Sequence, residues 1–230
     1  MYRYFFKRFF DFFLSLIALF VLLPIFIILT VVGAIAMDGN PFFIQQRSGK
    51  IGKNGKEKIF NLIKFRTMSN KRDKDGNLLP DEQRLNGYGK FLRSTSLDEL
   101  PELINILLGD MSFVGPRPQL VRDMVFMTAE QRRRHTVRQG LTGLAQVNGR
   151  NNTPWEQKLA YDLEYIGTIT FWGDMKIFFK TFLVVLKRED TVRDGTASDM
   201  DLGDWLLQNG QIPPAEYESK QVEAKALLKV

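Results

Sequence analysis

Asp98 and Glu99 are adjacent carboxylates in the run Arg93-Ser-Thr-Ser96-Leu-Asp98-Glu99-Leu-Pro101-Glu-Leu103. An ionised aspartate can attack phosphorus and form an acyl phosphate. A neighbouring glutamate can hold a magnesium ion or accept a proton. Cations accompany the pair. Lys64-Phe-Arg66-Thr-Met68 alternates, which places Lys64 and Arg66 on one face of a strand, and Arg117 is fixed between Pro116 and Pro118. Guanidinium forks match phosphate oxygens, and a diphosphate needs several of them. The residue types together point to phosphoryl chemistry.

The same segment has a purely structural reading. Ser96 caps a helix and Glu99, three residues on, completes an S-x-x-E capping box. A carboxylate at a helix N-terminus is held ionised by the dipole and free N–H groups, so the two readings are compatible. Pro101 opens an alternative. It cannot donate to the Leu97 carbonyl, so the helix restarts near Pro101 and leaves Asp98-Glu99 in a turn.

The elements that must position these groups can be read in outline. Pro41–Gln46 and Glu57–Phe65 are strand-like and flank a Gly- and Lys-rich loop containing Asn54-Gly55, which predicts a β-hairpin. Asn70–Leu79 is polar and turn-rich. Its Asp73-Lys-Asp-Gly76-Asn has a glycine too early for an EF-hand and reads as an exposed loop. Leu100–Leu108 is an apolar helix stopped by Gly109. Thr153-Pro-Trp-Glu156 predicts a helix start with Thr153 as cap, Pro154 as first helical residue and Glu156 completing a capping box. Phe171–Leu186, with Lys176, Lys180 and Lys187 interleaved, is a helix that fits either a core or a membrane interface, and the apolar N-terminal segment favours the interface. The whole reads as α+β, mostly helical.

Composition narrows the chemistry. The 230 residues include no cysteine and one histidine, His135, inside Gln131-Arg-Arg-Arg-His-Thr-Val-Arg138. Thiol nucleophiles, disulfides and multi-histidine metal sites are excluded, and His135 in its arginine run is expected at the surface. A net charge of +6 favours acidic partners.

Phe12–Met37 carries no charged side chain and is long enough to cross a bilayer. It is too long for an ordinary signal-peptide core. Pro24, near its middle, predicts a kink. Arg3, Lys7 and Arg8 precede the run, and Arg47, Lys50, Lys53, Lys56 and Lys58 follow it. Basic residues on both sides leave spanning and re-entrant helices equally open on this ground.

Lys64–Met68, Thr95–Leu103, Gly109-Asp-Met-Ser-Phe-Val-Gly-Pro-Arg-Pro118 and Gly140-Leu-Thr-Gly-Leu-Ala-Gln-Val-Asn-Gly-Arg150 resemble, in order, motifs of the bacterial sugar transferases. These are monotopic polyprenyl-phosphate phosphoglycosyl transferases, and the likeness, to their small form, runs from about Lys7 to Gly195. The resemblance implies transfer of a sugar-1-phosphate from a UDP-sugar to undecaprenyl phosphate, with release of UMP. That is the first membrane step of glycan assembly. It also implies magnesium and a covalent phosphosugar on the aspartate, so Asp98 would be the nucleophile and Glu99 its metal-binding or base partner. Arg93 and Arg117 match family arginines near the phosphates. In the family the N-terminal segment is a re-entrant helix broken at Ser-Pro. Here Leu23 precedes Pro24, so the serine hydroxyl that bonds the helix backbone is missing.

The expected organisation is therefore a re-entrant membrane helix over 1–37, a catalytic domain over 38–195 and a C-terminal tail over 196–230. The catalytic domain would face the cytoplasm from the bacterial inner membrane. The sugar and the oligomeric state stay open. Two rival readings exist. Asp199-Met-Asp201 is a D-x-D of the kind that holds metal in ordinary glycosyltransferases, which release UDP. A non-catalytic basic membrane adaptor would tolerate Asp98→Asn. No nucleic-acid motif is present, and no nucleic-acid partner is expected.

Overall fold

A computed structural model describes residues 1–149, 153–186 and 200–228. After one π-turn (Tyr2–Phe6), α1 (Lys7–Val21) and α2 (Leu23–Ala36) form a pair bent by 65° at Leu22. Pro24 lies in the first turn of α2, where its missing N–H breaks the ladder and its fixed φ starts a new helix. No single described helix is long and apolar enough to cross a membrane, whereas the bent pair passes by length and composition together.

The outer face of this pair is apolar and exposed, as at Phe20, Val21 and Ile35. The inner face is tied to the protein. Asp11, almost fully buried, accepts from Ser112 Oγ (3.1 Å) and Phe113 N (3.0 Å). Arg8 donates to the Ile106 (2.6 Å) and Leu107 (2.8 Å) carbonyls at the end of a later helix. Lys7 pairs with Asp174, and Arg3 donates to Ile166 O (3.1 Å). The basic flank that reads as a topology signal thus fastens α1 to the body.

The hairpin of β1 (Phe42–Ile51) and β2 (Glu57–Phe65) is antiparallel, with Phe42 opposite Phe65 and Ser48 opposite Ile59. β1 runs past its expected end at Gln46. The extension continues the ladder with β2 (Arg47 opposite Phe60, Ser48 opposite Ile59) and is also met by a remote segment, where Ser48 N donates to Gln119 O (3.1 Å) and Arg47 pairs with Leu120. The loop at 73–77 is exposed, with Asp73 Oδ1 accepting from the Asp75 and Asn77 amides.

Next come α3 (Asp81–Arg84), α4 (Gly87–Thr95), a 3₁₀ turn (Leu97–Glu99) and α5 (Glu102–Leu108). Asn86 caps α4 by accepting from Gly89 N (2.9 Å). Gly89 sits so close to the Thr67 carbonyl that no Cβ would fit, which lets α4 lie directly on the exit of β2. Gly109 (φ +91°) ends α5 in the left-handed conformation. A short parallel pair follows, β3 (Met111–Val114) with β4 (Gln139–Thr142). Between these strands lie α6 (Val121–Met124), α7 (Ala129–Arg132) and a 3₁₀ turn (Arg133–Thr136).

α8 (Leu144–Gly149), α9 (Trp155–Gly167), α10 (Phe171–Leu186), α11 (Leu202–Gln208) and α12 (Pro214–Leu227) complete the described chain. The fold is α+β, mostly helical with two small sheets. The expected Thr153 cap and its capping box do not form. The first bond of α9 runs from Lys158 N to Pro154 O (3.0 Å), so Pro154 itself, at ψ 151°, holds the flanking position. α10 exposes Trp172, Phe179, Phe182, Leu183 and Leu186; Lys187 lies outside the described residues. α11 and α12 share a core with α6 and α9, through Leu202, Ala224, Met124, Phe126, Trp155 and Leu159. A second core of Phe60, Leu62, Leu103, Ile106 and Met111 joins the hairpin to α5 and takes Leu19 of α1 and Leu22 at the bend against it.

Candidate active site

Asp98 and Glu99 lie in the 3₁₀ turn between α4 and α5, and the expected Ser96 capping box is absent. Ser96 takes a left-handed conformation (φ 55°, ψ 20°) and its hydroxyl makes no cap bond. Pro101 has no N–H to give the Leu97 carbonyl, so the turn closes with Glu99 N to Ser96 O (3.3 Å) and Leu100 N to Leu97 O (3.2 Å). α5 then restarts at Glu102. A non-glycine residue at positive φ costs about 1–2 kcal/mol, and such strain gathers where geometry serves function.

Lys64, next to last in β2, reaches across to this turn. Its Nζ lies 2.8 Å from Glu99 Oε1 and 3.0 Å from Glu102 Oε1. Arg117 Nη2 also bonds Glu99 Oε1, at 2.9 Å. Arg93 is set by the segment after β2, donating from Nε to Thr67 Oγ1 (3.1 Å) and from Nη2 to Met68 Sδ (3.1 Å). Its charge, with those of Lys64 and Arg117, acts on Asp98. No described residue hydrogen-bonds the Asp98 carboxylate. Arg66 lies one residue beyond β2. Its guanidinium makes no ion pair among the described residues, and its Nε is buried without a hydrogen-bond partner there.

The electrostatics separate the three acids. Burial pushes the Asp98 carboxyl up to about 6; Lys64, Arg117 and Arg93 pull against this and Glu99 adds to it. The dipole expected to hold Asp98 low is missing, because the turn is not the N-terminus of a helix. Burial also works to raise Glu99, but Lys64 and Arg117 together outweigh it and hold that carboxyl well below the usual range. Glu102, almost fully buried, is raised by burial to about 7. Glu102 stands in the same motif as the carboxylate pair, yet sequence reasoning passed over it. The signal was its i, i+3 spacing from Glu99, which lets both acids meet one lysine.

By sequence Arg47 is one of the basic flanks of the apolar segment. It instead lines a cleft with Leu62, Lys64, Glu102, Arg117 and Pro118. His135 is not at the surface; it and Arg134 are fully buried. Arg134 pairs with Asp162 (2.8 Å) and donates to the Arg117 carbonyl (2.6 Å). His135 sits between Glu57 Oε1 and Ser48 Oγ, each at 3.3 Å. The cause is packing of α9 and the hairpin over the 3₁₀ turn at Arg133–Thr136, which local polarity does not reveal. Of the D-x-D, Asp199 lies outside the described residues, and Asp201 pairs with Arg122 (2.8 Å).

The cleft is lined by three cations, Arg47, Lys64 and Arg117, and the Glu99 that Lys64 and Arg117 share is the chain neighbour of Asp98. Residues 2–188 match the family model for bacterial sugar transferases, and the chain belongs to that family. It is an enzyme of the phosphoglycosyl transferase class. A sugar transferase of Bacillus subtilis, EpsL, is 45% identical over 184 residues, covering 80% of this chain and 88% of that protein. The undecaprenyl-phosphate galactose phosphotransferase of Salmonella typhimurium is 35% identical over 203 residues, 80% of this chain but 41% of its own length. A UDP-glucose:undecaprenyl-phosphate glucose-1-phosphate transferase of Klebsiella pneumoniae is 39% identical over 191 residues, 76% of this chain and 39% of that protein. The chain therefore spans about two fifths of the longer relatives.

Proposed function

We propose that this enzyme moves a sugar-1-phosphate from a UDP-sugar to undecaprenyl phosphate, releasing UMP, through a covalent phosphosugar on Asp98. The observation that carries this is the division of labour among the three acids. Glu99 and Glu102 are consumed by Lys64 and Arg117, while Asp98 has no hydrogen-bond partner among the described residues. An Asp98 oxygen bonds to the sugar-bearing phosphorus, the bond to the bridging oxygen breaks, and its electron pair leaves with UMP. A phosphate oxygen of undecaprenyl phosphate then attacks the same phosphorus, and the carboxylate departs. Neither step requires a proton from the attacking oxygen. Glu99, held ionised, is a poor base and suits cation binding.

Magnesium fits this donor set. Hard oxygen ligands from Asp98 and Glu99 would hold it, and among the described residues no group of three acidic, histidine or cysteine side chains forms an all-protein cage. That agrees with an ion completed by substrate phosphates, where it would neutralise phosphate charge. Arg117 and Arg93 supply the remaining positive field at the phosphates.

The bent pair α1–α2 supports a re-entrant anchor in the bacterial inner membrane, with α10 lying in the interface and the cleft on the cytoplasmic side. The exposed aromatic and aliphatic faces of these elements would hold the site at the depth of the acceptor phosphate. The test is UMP release from purified protein given undecaprenyl phosphate, magnesium and a panel of UDP-sugars. Wild type releases UMP and traps labelled phosphosugar, and Asp98→Asn is slower by about 10³-fold or more with no label. Release of UDP, or equal rates in both proteins, defeats the reading.

A further inference from the structure

Arg47 is a mostly buried cation with no carboxylate of its own among the described residues. Nη1 donates to Pro118 O (3.2 Å) and Nη2 to Gln45 Oε1 (2.6 Å), both neutral acceptors. Its Nε is buried with no hydrogen-bond partner among the described residues. The nearby acids are engaged elsewhere. Glu102 pairs with Lys64, and Asp123 accepts from the Leu120 (3.2 Å) and Leu202 (2.9 Å) amides. A desolvated guanidinium left without a counter-charge is costly.

The cost is aggravated by Arg117, which lines the same cleft. Burial first, and then the charge of Arg117, push Arg47 down to about 10. The two arginines cannot drift apart, because the backbone holds them. Arg47 pairs with Leu120, and Ser48 N and Oγ both reach Gln119 O. Two like charges fixed side by side in a cleft, with an unused N–H, make a receptor for an anion with oxygen acceptors.

Arg117 bonds Glu99, the chain neighbour of Asp98, at 2.9 Å and lines one cleft with Arg47, so it links the carboxylate pair to Arg47. In-line displacement at phosphorus sets the leaving oxygen opposite the nucleophile. We propose that Arg47 binds the phosphate of the departing nucleoside monophosphate, beside the attacked phosphate on Arg117. This rests on the reading of Asp98 as nucleophile toward a UDP-sugar.

The test is calorimetric binding of UMP to the full chain with magnesium, beside the Michaelis constant for undecaprenyl phosphate and the thermal midpoint. Arg47→Gln binds UMP about tenfold or more weakly, the loss of one charge-assisted fork. Arg47→Lys, which keeps charge and stem, falls between. The acceptor constant stays unchanged in both Arg47 variants. If Arg47→Gln does not fold, Arg47→Lys alone decides, through a several-fold weakening of UMP against an unchanged acceptor constant. UMP binding within twofold of wild type, while wild type still releases UMP, overturns the role of Arg47 and leaves the reaction standing. A raised acceptor constant with unchanged UMP binding also overturns it. Wild type that neither binds nor releases UMP removes the reaction and this inference with it.

Discussion

Arg134 and Arg117 are joined by a hydrogen bond from Arg134 Nη2 to the Arg117 carbonyl (2.6 Å), yet they inhabit opposite kinds of site. Around Arg134 the guanidinium donors are answered. Asp162 takes both Nε (2.9 Å) and Nη2 (2.8 Å), and Nη1 faces His135 Nε2 (3.3 Å). Burial pushes His135 down to about 4, so at neutral pH its Nε2 is an acceptor and Nδ1–H donates to Glu57. Around Arg117 the accounts stay open. Its side chain is 44% exposed, its one carboxylate among the described residues is shared with Lys64, and Arg47 and Asp98 nearby have no charged partner in hydrogen-bond contact among those residues. The same residue types make a scaffold when every donor finds an acceptor and a binding site when some do not. The closed cluster holds the backbone of the open one.

That contrast can be broken at the closed end first. Arg134→Met leaves Asp162 buried and uncompensated and lowers stability by about 3–5 kcal/mol. In a chain of this size this reads as roughly 10 °C in thermal midpoint. Pairing it with Asp162→Leu restores much of the loss, whereas a full loss in the double variant would show that the network carries more than charge matching.

At the open end, acid titrates the nucleophile. Because the Asp98 carboxyl is raised to about 6, its reactive anion is complete above that pH and is lost as pH falls through it. Single-turnover formation of the labelled protein at pH 5 is therefore about tenfold below its plateau. A rate that is flat from pH 5 to 8 would contradict the assignment. The smallest effect falls on Glu102. Its carboxyl is raised to about 7, so it is partly protonated at neutral pH, and the neutral Glu102→Gln is close to a state it already visits. Activity at pH 7 stays within about fivefold of wild type and stability within about 1 kcal/mol. A collapse comparable to that of Asp98→Asn would make Glu102 part of the chemistry.

Much of the framework was legible because its causes are local. Pro24 breaks a helix wherever the apolar run folds, Asn54-Gly55 turns a hairpin, and Gly109 stops α5 by going left-handed. The carboxylate pair and its attendant cations also stood out, since residue type already states what each can do to phosphate. Other features depended on parts of the chain remote in sequence. Ser96 matched a capping box and became a left-handed hinge, because Pro101 denies the helix its next bond. His135 matched a surface run and is buried by α9 and the hairpin.

The sequence alone therefore determined the chemical inventory around Asp98 and the points where helices must start and stop, since both are set by side-chain type and backbone geometry over a few residues. Tertiary structure decided which charges meet. It placed Lys64 between Glu99 and Glu102, brought Arg47 beside Arg117, and left Asp98 without a hydrogen-bond partner among the described residues. Electrostatic fate depends on distance and burial, and those exist only once the hairpin, α5 and the Pro-Arg-Pro loop have packed together.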